Sequence, residues 1–193
     1  MRSAFKKAIL TVCIFVAIAA IAHAHRPGTL KEDTTVSNPY VSWTFPGLFE
    51  TGDELYVLRL NMERAFATPF EIMVPRQEGY RNFRPQFAIV GPGLPKPSRR
   101  IEAILPKPLP EGAGVFYEAN DKPERDVFFE TVMRRSLWSS GTTAIPLQKG
   151  NYQVWIWSSE KQKGKFQFAF GVEEKFDGEA FSALFSNWGL YAY

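Results

Sequence analysis

Cysteine and histidine are nearly absent from this chain. Its 193 residues include one cysteine, Cys13, and two histidines, His23 and His25. Catalysis by cysteine needs a thiolate, and catalysis by serine usually needs a neighbouring base such as histidine. Both kinds of nucleophilic catalysis therefore have little support in the sequence.

The first 24 residues have the pattern of a secretory signal. Basic residues precede an apolar run over 8–22, and Ala22-His23-Ala24 fits the small-x-small rule for signal peptidase. This run is short for a membrane-spanning helix, which needs about 20 residues. We therefore expect cleavage before His25 and a mature protein that is periplasmic or secreted, with a retained membrane anchor as the alternative.

The charge balance of the mature chain argues against a nucleic-acid function. Lys and Arg number 23 in the full chain, and Asp and Glu number 20. Arg2, Lys6 and Lys7 belong to the predicted signal, so the mature chain carries 20 charges of each sign. Without a net positive field we expect no nucleic-acid partner.

Alternation of apolar and polar residues predicts an all-β fold. Period-two runs occur at 40–45, 56–61, 70–74, 143–147, 152–157 and 166–172, with short apolar runs at 87–90 and 127–129. Turn residues separate these runs, and abundant aromatics supply a core without disulfides. We expect an antiparallel, jelly-roll-like β-sandwich over 40–175, preceded by a flexible N-terminal arm, 25–39.

A proline-rich insertion interrupts this pattern around 92–140. Residues 91–112 hold six of the 14 prolines in the chain. Proline is excluded from helix interiors and central strands, so this stretch is predicted to be long surface loop. The loops either cross between the sheets or dock a partner.

The last segment, 176–193, predicts a short amphipathic helix with Asp177 as its N-cap. Its apolar residues recur at helical spacing: Phe181, Leu184, Phe185 and Trp188. We expect this stripe to cap one face of the sandwich, where it would also cover Trp155 and Trp157. Contact with a membrane surface or with a partner is the alternative, and the lack of Lys or Arg within 177–193 disfavours the membrane.

A polar segment between two predicted strands supplies most of the candidate binding residues. The candidates are Arg76, Arg81, Arg84, Glu130 and Trp138. The three arginines could hold an anion or a carboxylate bidentately, and Trp138 stands in a polar context that suits a rim contact. The alternative is that the arginines pair internally with Asp126 or Glu130.

Two other kinds of site stay open. His25, as the first residue of the mature chain, could bind copper through its amine and imidazole, although no second histidine follows it. A pair of carboxylates could carry out glycoside hydrolysis. The candidate acids are Glu71, Glu78, Glu118, Asp121, Asp126 and Glu130. Their spacing singles out no pair.

Four segments resemble a known family. They are 53–60, 83–95, 150–157 and 164–172. Together they are similar to the bacterial pre-peptidase C-terminal type of domain, and 150–157 resembles the G-x-Y-x-V-x-V strand of that domain. The chain looks like secreted bacterial proteins built on that plan. This sequence departs from that plan, because we expect no peptidase within it and the insertion around 92–140 is extra.

The resemblance implies a jelly-roll-like sandwich without intrinsic catalysis. Domains of this type accompany secreted enzymes and act as accessory or binding modules. Some relatives bind calcium, but no Asp-rich loop in this chain supports carrying that over. We therefore predict a non-catalytic extracytoplasmic module for a protein or glycan partner, with no cofactor; copper or calcium binding is the alternative.

Overall fold

Two β-sheets packed face to face form the body of the protein. The computed structural model describes residues 25–130, 133–175 and 177–191. The predicted signal, 1–24, lies outside the described residues. The described chain is a mostly β structure with a short C-terminal helix, so the predicted fold class is confirmed.

The described residues form twelve strands, three helices and one 3₁₀ turn. The strands are β1 (Arg26–Pro27), β2 (Asp33–Thr35), β3 (Trp43–Phe49), β4 (Leu55–Met62), β5 (Phe66–Pro75), β6 (Gln86–Gly91), β7 (Gly114–Glu118), β8 (Asp126–Glu130), β9 (Arg135–Ser139), β10 (Thr143–Leu147), β11 (Gly150–Trp157) and β12 (Gly164–Phe170). The helices are α1 (Arg99–Glu102), α2 (Gly178–Ser186) and α3 (Trp188–Tyr191), and a 3₁₀ turn spans Glu78–Tyr80.

Antiparallel pairing dominates both sheets. Over the described residues, the first sheet has seven strands in the order β1-β3-β12-β5-β9-β8, with β10 also paired to β5. The second has five strands in the order β2-β4-β11-β6-β7. Only the pairs β1–β3 and β2–β4 are parallel among those described. Both parallel pairs are made by the segment that precedes the predicted sandwich.

The N-terminal segment 25–39 is not the flexible arm that its polar composition predicts. It contributes one short strand to each sheet. The Arg26 N–H donates to the Ser42 carbonyl at 2.6 Å, and the Arg26 side chain is buried. Backbone pairing to β3 and β4 therefore orders a segment that has few apolar side chains of its own.

Aromatic rings fill most of the space between the sheets. β12 turns Phe166, Phe168 and Phe170 inward, as their period-two spacing predicts. The ring of Phe166 stacks on Phe49 with centroids 4.8 Å apart, and Phe168 meets Phe87 of the opposite sheet at 5.2 Å. Burial of such large rings is the main source of stability in a sandwich without disulfides.

A second apolar cluster lies on the outer face of the second sheet. Trp155 and Trp157 are buried there. The residues that cover them come from the proline-rich insertion: Ile101, Leu105, Leu109, Ala113 and Tyr117. The expectation that the C-terminal helix covers both tryptophans is therefore wrong. Prolines around Leu105 and Leu109 keep that segment out of helix and strand, so the cover is a loop with turns and bends.

The C-terminal helix packs at the edge of the first sheet, beside β1. The carboxylate of Asp177 accepts the N–H of Ala180, as the N-cap prediction requires. The predicted apolar stripe is not the packed face, because Phe181, Phe185 and Trp188 stay exposed and contact one another. No helix in the described ranges has the length and apolar character to span a bilayer.

Polar contacts determine the orientation of α2 at the edge of the first sheet. The guanidinium of Arg26 pairs with Asp177 at 2.5 Å and with Glu179 at 2.9 Å. The Asn187 amide donates to the Gly28 carbonyl at 3.3 Å and to the Thr29 hydroxyl at 3.2 Å. These bonds turn the Ala180 side of the helix inward, which leaves the aromatic stripe facing solvent.

The role of the insertion as a cover can be tested at two adjacent residues. Leu105→Asp places a charge against the tryptophan cluster, so we expect a loss of about 2–3 kcal/mol in the free energy of unfolding. Tryptophan fluorescence should also shift to the red as water reaches Trp155. Ile104→Asp is the matched control, because Ile104 is exposed. Equal effects of the two substitutions would contradict the covering role.

The ion pairs of α2 predict an acid-sensitive stability. Hydrogen bonds from Arg26 and from the Ala180 amide lower the pKa of Asp177. A carboxylate whose folded pKa is lowered stabilises the fold above its unfolded pKa of about 3.9, and that contribution is lost as the pH falls through the folded value. Asp177→Asn should therefore lower the melting temperature at pH 7 and flatten its decline in acid.

The control for this experiment is Asp53→Asn. Asp53 pairs with Lys161 at 2.8 Å, with both side chains exposed. An exposed pair of this kind contributes little to stability. Thermal melts of both variants between pH 3 and pH 7 make the comparison. A loss for Asp53→Asn as large as that for Asp177→Asn would show that α2 has no special dependence on its ion pairs.

Candidate functional site

Loops before β6 and before β8 form an open cationic cavity of about 470 Å³ against β9. Its lining residues are Glu78, Arg81, Asn82, Arg84, Pro123, Arg125 and Trp138. We call this cavity the arginine pocket. Three of the residues predicted from the sequence meet here: Arg81, Arg84 and Trp138. Trp138 is far from the two arginines in the chain, and it comes close to them only because β5 pairs with β9.

A buried phenylalanine fixes the loop that carries two of the arginines. Phe83 packs against Phe49 of the main core with ring centroids 6.2 Å apart, and against Tyr80 at 5.8 Å. Arg81 and Arg84 flank this anchor. The Arg84 N–H also donates to the Gln162 side chain at 3.4 Å. The loop backbone is thus held by the core, which positions both guanidinium groups.

Trp138 lies in strand β9 and not in the loop that its polar neighbours predict. Its ring packs against the main core, and the guanidinium carbon of Arg125 lies 4.2 Å from the ring centroid. Arg125 also donates to the carbonyls of Phe83 at 3.2 Å and Arg81 at 2.7 Å. The tryptophan therefore serves as a platform for Arg125.

The pocket has more positive than negative charge, because three arginines and one glutamate line it. Burial, with a contribution from the Arg84 charge, lowers the pKa of Arg125 to about 10. Arg81 pairs with Glu78 at 3.6 Å, and both side chains are exposed. The Nη1 atom of Arg84 is buried and has no hydrogen-bond partner among the described residues. A buried donor without a partner is costly, and an oxyanion in the pocket would accept charge-assisted hydrogen bonds from the guanidinium groups that line it.

The other two predicted binding residues lie elsewhere. Arg76 is exposed at the end of β5, where its N–H donates to the Ser136 carbonyl at 3.1 Å. Glu130 ends β8 opposite Arg135, and its carboxylate accepts the N–H of Met133 in the connection to β9. Neither side chain lines the arginine pocket.

Arg125 is the functional candidate that the sequence did not reveal. It stands immediately before β8, whose residues Val127–Phe129 form a recognisable apolar run. Pairing that run with 136–138 as a hairpin would have placed Arg125 near Trp138. The hairpin was not predicted because β9 contains one arginine and two serines, a composition that is typical of a loop.

His25 is not a free terminal residue in this structure. Its Nδ1 atom lies 2.6 Å from the hydroxyl oxygen of Ser42, which is buried. Burial lowers the pKa of His25, while the charges of Glu174 and Glu71 act in the opposite direction. Within the described residues no group of three or more His, Cys, Asp or Glu could hold a metal ion. Copper or calcium binding stays a prediction.

Two of the candidate acids for hydrolysis, Glu71 and Glu78, have different hydrogen-bond and ion-pair partners. Glu71 accepts hydrogen bonds from the hydroxyls of Ser139 and Thr142. Glu78 pairs with Arg81 in the arginine pocket. Because these two acids are held by different partners, neither contact points to a shared catalytic cleft.

Comparison with models of known protein families finds no match, and comparison with curated proteins finds none. Among solved structures, the chain is similar to the pre-peptidase C-terminal domain of a collagenase from Bacillus anthracis. The identity is 8% and the TM-score 0.40, over 72% of this chain and 95% of that one. A CocE/NonD family hydrolase from Staphylococcus aureus shows 10% identity and a TM-score of 0.16, over 82% of this chain and 28% of that one.

The first of these structures belongs to the family that the sequence resembles. At this TM-score the likeness does not place the chain in that family. It also carries no information about ligand, partner or activity. The arginine pocket therefore has to be interpreted from its own residues.

The imbalance of charge predicts that one arginine destabilises the fold. Arg84→Met removes a buried donor without a partner and the repulsion of Arg125, so we expect the free energy of unfolding to rise by about 1 kcal/mol. Arg81→Met, at an exposed residue, should change it by less than about 0.5 kcal/mol. Urea unfolding measures both variants. A clear loss of stability for Arg84→Met would mean that Arg84 is a structural residue.

Proposed function

We propose that this protein is a non-catalytic β-sandwich module that works outside the cytoplasm and binds an anionic group of a protein or glycan partner. The arginine pocket is the binding site. Arg84 and Arg125 recognise the anion, and Trp138 orients Arg125. The single observation that carries the proposal is that the side chains of Arg84 and Arg125 line one open cavity, with no ion pair from either of them to a carboxylate among the described residues.

The chemistry of arginine favours binding over catalysis in this pocket. Guanidinium groups stay protonated near neutral pH, and even the lowered pKa of Arg125 is about 10. Such groups donate hydrogen bonds and do not exchange protons with a substrate. Their planar pairs of N–H groups match carboxylate, sulfate and phosphate oxygens. Glu78, the carboxylate that lines the pocket, is already paired with Arg81.

The holding of Arg125 by carbonyls supports a preorganised site. Its N–H groups are bonded to the Phe83, Tyr80 and Arg81 carbonyls. An arginine that is fixed before the ligand arrives loses less side-chain entropy on binding. The location outside the cytoplasm rests on the predicted signal, 1–24, and the choice between protein and glycan is left to experiment.

Glucuronate and glucose are matched probes for this site, because they differ by one carboxylate. We expect glucuronate, and not glucose at equal ionic strength, to raise the melting temperature of the mature chain. A ligand at about a hundredfold excess over its Kd adds about 2.7 kcal/mol. Arg84→Met should weaken glucuronate binding by about tenfold or more, since a charge-assisted pair is lost.

Arg76→Met is the control variant, because Arg76 lies on the same segment but outside the pocket. It should leave glucuronate binding unchanged. A blocked triglutamate peptide, tested alongside, separates an acidic peptide from an acidic sugar as the source of the anion. Equal effects of glucose and glucuronate, or equal losses for Arg76→Met and Arg84→Met, would refute the proposal.

A further inference from the structure

Most edges of the two sheets are protected against pairing with another strand. Over the described residues, β1 has two residues including Pro27, and β2 has three. β10 carries Pro146. On β7, the Val115 N–H donates to the Pro95 carbonyl at 2.8 Å, so a loop covers that edge. Shortness, proline and cover are the usual devices that keep an edge from pairing.

Strand β8 has none of these three devices, and its only protection is a charged residue at each end, Asp126 and Glu130. It has five residues, contains no proline, and pairs only with β9 among the described strands. Its apolar side chains are exposed, by 51% for Val127, 36% for Phe128 and 54% for Phe129. An open edge that also offers apolar side chains is the surface used in β-strand addition.

The exposed side chains of β8 lie on both faces of the sheet. Val127 is opposite Trp138, which packs against the main core. Phe128 is opposite Leu137, which packs with Met73 in a separate cluster. A strand added beside β8 could therefore bury apolar side chains on both faces. A strand edge that only faces water would not need apolar side chains on both faces.

The charges at the two ends of β8 disfavour a second copy of this chain as the occupant. Antiparallel pairing centred on Phe128 would set Asp126 opposite Glu130 of the other copy. Parallel pairing in register would set each acid beside itself. Like charges directly opposite one another destabilise a strand pair. Arg135 already faces Glu130 from β9, and it offsets that repulsion on one side only.

We propose that β8 is the docking edge for an extended segment of a partner protein. The segment has three apolar residues flanked on each side by Lys or Arg, so that its basic residues lie opposite Asp126 and Glu130. It adds to the first sheet as a further strand beside β8. This inference goes beyond the anion-binding function and does not depend on the arginine pocket.

Three blocked synthetic peptides test the proposal by calorimetric titration of the mature chain. The first has the central sequence Lys-Val-Phe-Val-Lys, the second has Glu for both lysines, and the third has Pro for Phe. We expect the lysine peptide to bind about tenfold or more tightly than the glutamate peptide, from the change of charge at two positions. The proline peptide should not bind, because it cannot complete the ladder.

Hydrogen exchange shows where the peptide binds. The lysine peptide should slow amide exchange in β8 and leave the edges β2 and β10 unchanged. Asp126→Lys should abolish most of the preference for the lysine peptide. Glu124→Lys is the matched control, because Glu124 is exposed in the loop just before β8 and should leave the preference intact. The exchange measurement on the unsubstituted chain stands even if a variant fails to fold.

Three results would overturn the proposal. One is equal binding of the lysine and glutamate peptides. Another is protection by the lysine peptide outside β8. The third is a dimer in sedimentation equilibrium without peptide that Phe128→Lys dissociates, since a second copy would then be the occupant. Failure of glucuronate to bind leaves this inference untouched, so the two proposals fail separately.

Discussion

The contact between the phenylalanines of β12 and the facing sheet is the interaction on which the rest of the structure depends. Phe168 meets Phe87 of the facing sheet at 5.2 Å, and within its own sheet Phe166 stacks on Phe49 of β3 at 4.8 Å. Phe49 in turn contacts Phe83, the anchor of the loop that bears Arg81 and Arg84. The geometry of the arginine pocket is therefore a consequence of core packing, because that loop has no strand or long helix of its own.

The concentration of positive charge in the pocket destabilises the fold, and the packing of the core has to offset that loss of stability. Arg84 and Arg125 lie close enough for one to lower the pKa of the other. Natural sequences keep such destabilising arrangements where function requires them. Trp138 and the carbonyls bonded to Arg125 reduce the cost by fixing one guanidinium, while the buried Nη1 of Arg84 has no hydrogen-bond partner among the described residues.

The strands with strong alternation were predictable from sequence, and the weakly patterned ones were not. Alternating phenylalanines place β12 without ambiguity, since one face is fully buried. β1 and β2 were missed because they are short and are held by backbone pairing, which leaves no pattern in the side chains. β9 was missed because only Leu137 and Trp138 are apolar in it. The cover of Trp155 was assigned to the wrong segment, since periodicity shows which faces are apolar but not which partner meets them.

Part of the candidate site followed from residue type, and the rest needed the topology. Arginines in a polar loop predicted an anion site, but only the pairing of β5 with β9 brings Trp138 to them. Arg125 stands just before β8, so only recognition of the pairing between β8 and β9 would have placed it beside Trp138. Arg76 belongs to the same segment as Arg81, yet it ends a strand and lies outside the pocket.

The most direct test of the account is the NMR spectrum of the arginine side chains during a titration with glucuronate. If the arginine pocket binds the anion, the Nε–H signals of Arg84 and Arg125 and the Trp138 indole signal shift saturably, while the Arg76 signal stays unchanged. Shifts that grow linearly with ionic strength at all exposed arginines would contradict it. In that case the pocket would hold no specific anion, and its charge would have no function in binding.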